Sequence, residues 1–148
     1  MRILYCGVGE EPNTSPFGPI MLSECLVCFC FRAAAFNWDN ITSFLIDHGV
    51  HFDTRDVQSS TPFLDAVAAG QTTCARLLLQ RGADTKASNI YMKNCLHIAV
   101  ENEHLETLNM LLKQKPVLRN LYRPDVNERV PLHYAAMVKD VRVSLLLS

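Results

Sequence analysis

Apolar positions along the chain follow two superposed periods. Locally they keep helical spacing, as in Leu105, Leu108, Leu111 and Leu112 at i, i+3, i+6 and i+7, which gathers them on one helix face. Over longer distances the pattern returns every 33 residues: the triplets Phe44-Leu45-Ile46, Leu77-Leu78-Leu79 and Met110-Leu111-Leu112 share one register. So do the small pairs Ala33-Ala34, Ala66-Val67 and Ala99-Val100, and Gly49 and Gly82 each follow a triplet at the same offset. A fourth pair, Ala135-Ala136, comes 36 residues after the third, so three residues are inserted there. Three features in one register identify an internal repeat.

Each unit predicts helix, turn, helix. In unit two, Thr61 is placed to cap a helix that has Pro62 at N1, where a missing donor costs nothing. Phe63, Ala66 and Val67 follow, and Gly70 closes the helix. A second helix is expected over 72–80 with Leu77 and Leu78 inward, ended by Gly82 in the left-handed region. Unit three repeats this with Asn94 as cap, then Leu96, Ala99 and Val100, with Leu111 and Leu112 on its second helix. Unit four offers Pro131, Leu132, Ala135 and Ala136. Helices of about eight or nine residues are marginal alone. Each must bury its apolar face on a neighbour, which predicts an all-α repeat solenoid. The units start near residues 28, 61, 94 and 130, and residues 1–27 match none of them and read as an irregular leader.

The segments Thr61-Pro62-Phe63 with Ala66, Leu96-His97-Ile98-Ala99 and Pro131-Leu132-His133-Tyr134-Ala135-Ala136, closed by Gly82-Ala83, resemble the ankyrin-repeat family over residues 28–148. The resemblance implies L-shaped helix-turn-helix units with β-hairpin or turn junctions, and protein binding on the concave face. His97 and His133 occupy the family's structural histidine, which orders the turn, and Leu64 replaces it in unit two. Unit one departs most, with Cys28-Phe29-Cys30-Phe31 in place of the Thr-Pro-Leu-His segment. Ser59, Met92 and Glu128 stand where the family has its hairpin glycine, which implies less regular fingers. From the family's geometry the concave-face candidates are Arg32, Asp65, Ile98 and Tyr134, with Arg55 and Lys86 on the hairpins. Tyr134 is the favoured anchor, because aromatic residues are enriched among binding hot spots.

A narrower resemblance rests on Thr61-Pro62-Phe63-Leu64 ending in Arg81-Gly82-Ala83-Asp84, and on Asn94-Cys95-Leu96-His97-Ile98-Ala99-Val100. These look like the cytosolic repeats of ankyrin-type (subfamily A) transient receptor potential cation channels. The uneven spacing before Pro131 fits the same family, in which a long N-terminal array precedes six membrane helices.

Charge narrows the function classes. The 14 Lys+Arg against 15 Asp+Glu leave a formal net charge of -1, unlike the basic face of a nucleic-acid binder. The longest apolar stretch, residues 20–31, is interrupted by Ser23 and Glu24 and is short of a bilayer span of roughly 20 residues. Arg2 is followed by Gly7, Gly9, Glu10 and Glu11 rather than an apolar run, so no secretory signal is read. Six cysteines are then expected as reduced thiols in a cytoplasmic chain.

No catalytic, cofactor or metal site is expected. There is no G-x-S-x-G elbow, and Gly7-Val8-Gly9 lacks a third glycine. Cys25-x2-Cys28 with His48-x2-His51 suggests zinc, yet the gap of 19 residues and the His spacing are wrong for a finger. These residues read as packing cysteines and turn histidines. Burial is likewise expected for Cys28, Cys30, Cys74 and Cys95, against the reactive thiol that the channel resemblance suggests. Lys113, Lys115, Arg119 and Arg123 gather in the lengthened junction, either as a solvated loop or as a patch for an acidic partner or anionic head group. Pro116 and Pro124 frame it as irregular structure.

Two function classes remain: a segment of a larger channel's cytosolic array, partnered by the rest of that array, or a soluble adaptor with one protein on its concave face. Neither requires a membrane span in this chain, although the parent of an array segment would be membrane-embedded. The chain stops at Leu145-Leu146-Leu147-Ser148, within the second helix of unit four and without a polar capping repeat. A truncated product that associates through its open end is the expectation.

Overall fold

Capping decides where each helix begins. Thr61 adopts an extended backbone and its hydroxyl accepts from the Leu64 amide at 3.3 Å, with Pro62 in the first turn. Asn94 does more, its Oδ1 accepting from the amides of Leu96 at 3.0 Å and His97 at 3.2 Å. The computed structural model describes residues 30, 32–36 and 38–147; the expected leader and Cys28 lie outside them.

Residues 30 and 32–35 are helical and belong to unit one, whose second helix is α1 (Asp39–Asp47). Unit two comprises α2 (Pro62–Ala68) and α3 (Thr72–Gln80). Unit three comprises α4 (Cys95–Glu101) and α5 (Leu105–Leu112), and unit four α7 (Pro131–Met137) and α8 (Val141–Leu147). Between them lie a one-turn helix, α6 (Lys115–Leu118), and a 3-10 turn, η1 (Arg119–Tyr122). The lengthened junction is therefore helical where an irregular loop was expected. Pro116 falls in the first turn of α6, the place where a proline helps a helix start.

First helices pack on first helices, α2 on α4 and α4 on α7, while α1, α3, α5 and α8 form a second layer. Ala34, Ala66, Ala99 and Ala135 are fully buried in the first layer, their small side chains allowing close approach. Leu45, Leu78 and Leu111 repeat at one position of the second layer and are buried. The Thr72 and Thr107 hydroxyls hydrogen-bond across that layer at 2.8 Å, so two buried polar groups satisfy each other. This is the all-α repeat solenoid.

Two expectations about packing change. Leu77 is half-buried while its neighbour Leu78 is fully buried, because 100° per residue turns Leu77 off the inward face. Leu132 is 52% exposed although Leu96, its equivalent one unit earlier, is fully buried. His133 is exposed as well, since no further unit among the described residues covers this side of α7.

The junctions between units are turns rather than strands. Among the described residues the one bridge outside helices joins Ser88 to Asn94. The turns are nonetheless regular, contrary to the expectation drawn from the missing glycines. Ser59, Met92 and Glu128 themselves take the left-handed conformation, with φ of 57°, 56° and 60°. Glu103, which stands where Gly70 does one unit earlier, does the same at φ 58°.

Candidate functional site

Each finger is built by one acidic or amide side chain. Asp56 accepts from the amides of Gln58 and Ser60, both at 2.8 Å. Asn89 accepts from Tyr91 at 3.0 Å and Lys93 at 3.1 Å, and Asp125 from Asn127 at 2.8 Å and Arg129 at 2.9 Å. In every case the residue's own amide donates to the carbonyl four residues on. This side-chain mimicry of a backbone turn is what holds a non-glycine residue at positive φ. Neighbouring fingers are joined in turn, the Ile90 amide donating to the Gln58 carbonyl at 2.9 Å and Val126 to Tyr91 at 3.1 Å.

Numbered by the unit each precedes, fingers three (Asn89) and four (Asp125), with the first helices of units three and four, enclose a groove of about 580 Å³ lined by Tyr91, Lys93, Glu101, Arg129, Tyr134 and Met137 among others. Tyr91 and Met137 are exposed, at 51% and 67%. Lys93 donates to both carboxylate oxygens of Glu101, at 2.8 and 2.9 Å, and its ammonium lies 5.2 Å from the centre of the Tyr134 ring. Burial disfavours the Lys93 charge, but Glu101 outweighs it and leaves the ammonium pKa raised.

Tyr134 closes the groove floor. It is buried, and its hydroxyl donates to Asp125 Oδ2 at 2.6 Å. Burial pushes the Asp125 carboxyl up, yet the Tyr134 hydroxyl and the two amides more than offset this and hold it low. Burial, together with the bond to Asp125, raises the Tyr134 phenol. The His97 and Tyr134 rings meet edge to face, with centroids 5.4 Å apart. His97 accepts from the Asn94 amide at Nδ1 and donates from Nε2 to the Arg129 carbonyl at 2.8 Å. Burial lowers its pKa, so the neutral ring ties unit three to the fourth finger. His133 accepts from the Val130 amide at 3.0 Å in the same manner.

Of the six interaction candidates, Tyr134 alone lines this groove. Ile98 is buried at 7% exposure and belongs to the core. Asp65 is half-buried and accepts from the Ser60 hydroxyl at 2.6 Å; burial raises its carboxyl to about 6. Arg55 is exposed and spans two fingers, donating to the Ser88 carbonyl at 3.0 Å. Arg32 is exposed on unit one, and Lys86 lines a separate cleft with Lys115 and Arg119. Tyr91, Lys93, Glu101, Arg129 and Met137 escaped the sequence reading. The recurrence of Asp56, Asn89 and Asp125 at intervals of 33 and 36 is the signal that would have placed the fingers.

The arrangement suits recognition of side chains. Among the described residues no group of three or more His, Cys, Asp or Glu is placed to hold a metal. Cys25 and Cys28 of the suggested zinc set lie outside them. His48 instead bonds the Phe44 carbonyl at 2.8 Å. Burial pushes the Cys30 thiol up to about 11 and Cys95 to about 12, and raises Cys74, so all three are poor nucleophiles. No helix among the described residues is long and apolar enough to cross a membrane.

Comparison with known proteins agrees with this geometry. A family model described as ankyrin repeats in many copies matches residues 63–112. Inversin of Canis lupus familiaris is 29% identical over 118 residues, 78% of this chain and 11% of that protein. The human transient receptor potential cation channel subfamily A member 1 is 26% identical over 133 residues, 88% of this chain and 11% of the channel. Human rabankyrin-5 is 31% identical over 98 residues, covering 64% and 8% respectively. The chain spans about a tenth of the length of these relatives. The family match shows ankyrin repeats over residues 63–112, and the remaining helix pairs and fingers of the chain follow the same plan.

Proposed function

We propose that this chain is a protein-interaction scaffold that receives a partner's side chains in the groove between fingers three and four, and that it performs no catalysis. The observation that carries the reading is a built recess on a repeat framework. Tyr91 and Met137 offer exposed apolar surface, Tyr134 a fixed floor, and Arg129 a cation that joins no ion pair among the described residues. Aromatic and arginine side chains beside a sheltered floor are the usual makings of a binding hot spot.

The finer reading is that the array belongs to the cytosolic N-terminal part of a subfamily A-like transient receptor potential channel. It is supported by the subfamily resemblance and by an alignment over 88% of the chain. The alternative is a soluble adaptor; the channel is not singled out by similarity, since inversin is 29% identical over 78% of the chain against 26% over 88%. Both readings place the repeats in the cytoplasm.

A photocrosslinking residue at Met137, compared with one at Asn109 outside the groove, tests the scaffold. A protein captured only from Met137, and lost in Tyr91→Ala/Arg129→Ala, is expected; equal capture from both positions contradicts the groove. Sequencing the transcript beyond the Ser148 codon separates the finer readings. Further repeats followed by six membrane-length segments support the channel, and a stop after a polar capping repeat supports the adaptor.

A further inference from the structure

The inserted residues between units three and four do more than lengthen the junction. From Glu106 to Asp125 the chain carries Lys113, Lys115, Arg119 and Arg123 and no acid between. Folding of α6 and η1 brings Lys115 and Arg119 against the start of the third finger. There, with Thr85, Lys86 and Pro116, they line a cleft of about 360 Å³ that contains no carboxylate. Lys86, Lys115 and Arg119 are exposed and join no ion pair among the described residues. The cleft shares no lining residue with the groove.

Its two walls are fixed to one another. Asn120 is buried and donates through Nδ2 to the Thr85 carbonyl, while its own carbonyl accepts from Asn94 Nδ2 at 3.0 Å. Arg123 donates through Nη1 to the Lys86 carbonyl at 2.9 Å, which brings a fourth cation to the rim. Holding like charges together is unfavourable unless an anion joins them. A single carboxylate would neutralise one of these cations, whereas a phosphate carries more charge and three acceptor oxygens. Arginine and lysine together supply the bidentate and point-charge contacts that such a group accepts.

We propose that this cleft binds a multiply charged phosphate group, the shared chemistry of soluble polyphosphates and of phosphorylated lipid headgroups. Calorimetric titration of the whole chain with tripolyphosphate tests it, beside Lys115→Gln/Arg119→Gln and the charge-matched control Lys113→Gln/Lys139→Gln. Saturable binding is expected, weakened about tenfold or more in the first variant and less than about twofold in the control. All four side chains are exposed, and unchanged thermal melts confirm that the variants fold. Absence of saturable binding overturns the proposal. So does equal weakening in both variants, which would mean general attraction to charge, or equally tight binding of a hexaglutamate peptide. Sedimentation with vesicles containing phosphatidylinositol bisphosphate then names the source. Retention lost in Lys115→Gln/Arg119→Gln supports a lipid headgroup, and tripolyphosphate binding without retention supports a soluble ligand.

Discussion

The hydroxyl of Tyr134 donates to Asp125 Oδ2 at 2.6 Å, so the first helix of unit four holds the carboxylate that builds its own finger. Tyr134→Phe removes that donor and keeps the ring. A bond to a charged acceptor is worth about 1.5–3 kcal/mol, and the loss should appear in a urea melt. A loss under half a kcal/mol would show that the bond does not anchor the finger.

Ser59, Met92, Glu103 and Glu128 stand at positive φ, where an L side chain costs about 1–2 kcal/mol. Glycine relieves this and returns part of the gain through the freedom of its unfolded chain. Each substitution to glycine should raise stability by about 0.5–1 kcal/mol, seen as a higher urea midpoint at constant slope. Destabilisation in all four would refute the strain argument.

Gly70 combines a φ of 72° with the His104 ring 2.8 Å from where a Cβ would sit, whereas Gly82, at φ 90°, has nothing within 4 Å of that point. Gly70→Ala should therefore cost about 2–4 kcal/mol and Gly82→Ala about 1–2. His104→Ala added to Gly70→Ala should restore part of the loss, although it gives up the bond from Nε2 to the Ala68 carbonyl. Strict additivity in that double-mutant cycle would mean the ring is not what the new methyl meets.

Asp65 gives the chain a pH dependence of known sign. Burial raises its carboxyl from 3.8 to about 6, against the lowering effect of the Ser60 bond. The folded state therefore retains a proton that the unfolded state has released. This group's contribution falls as pH rises from about 4 to about 6 and stays unfavourable above. Asp65→Asn should stabilise the chain by about 1–3 kcal/mol at pH 7 and flatten that slope in melts across the window. A slope that survives the substitution would assign it elsewhere.

Burial separates two adjacent leucines. Leu78→Ala should cost about 2–5 kcal/mol, and Leu77→Ala clearly less, because Leu77 is half-buried and Leu78 fully so. Equal losses by urea melt would contradict the packing of α3.

The repeat and its helices were legible because they rest on local chemistry. Thr61, Pro62 and Asn94 mark helix starts by what their own atoms offer, and Leu45, Leu78 and Leu111 mark the core by recurrence. The candidate site was less legible. Tyr91, Lys93 and Met137 are ordinary residues until two fingers and two helices bring them together. Ile98 was misplaced because a position beside the structural histidine reads as surface, while its side chain turns into the core. The helical form of α6 and η1 was missed because Pro116 and Pro124 were read as breaks, whereas Pro116 starts a turn.

The bonds from Ile90 to Gln58 and from Val126 to Tyr91 cross between units, unlike the amide bonds within each helix. Deuterium uptake at these two amides thus reports neighbouring units parting, while uptake in α3 or α5 reports a unit melting. The array carries its own extension gauge: a pull along its axis should expose Ile90 and Val126 before any helix yields.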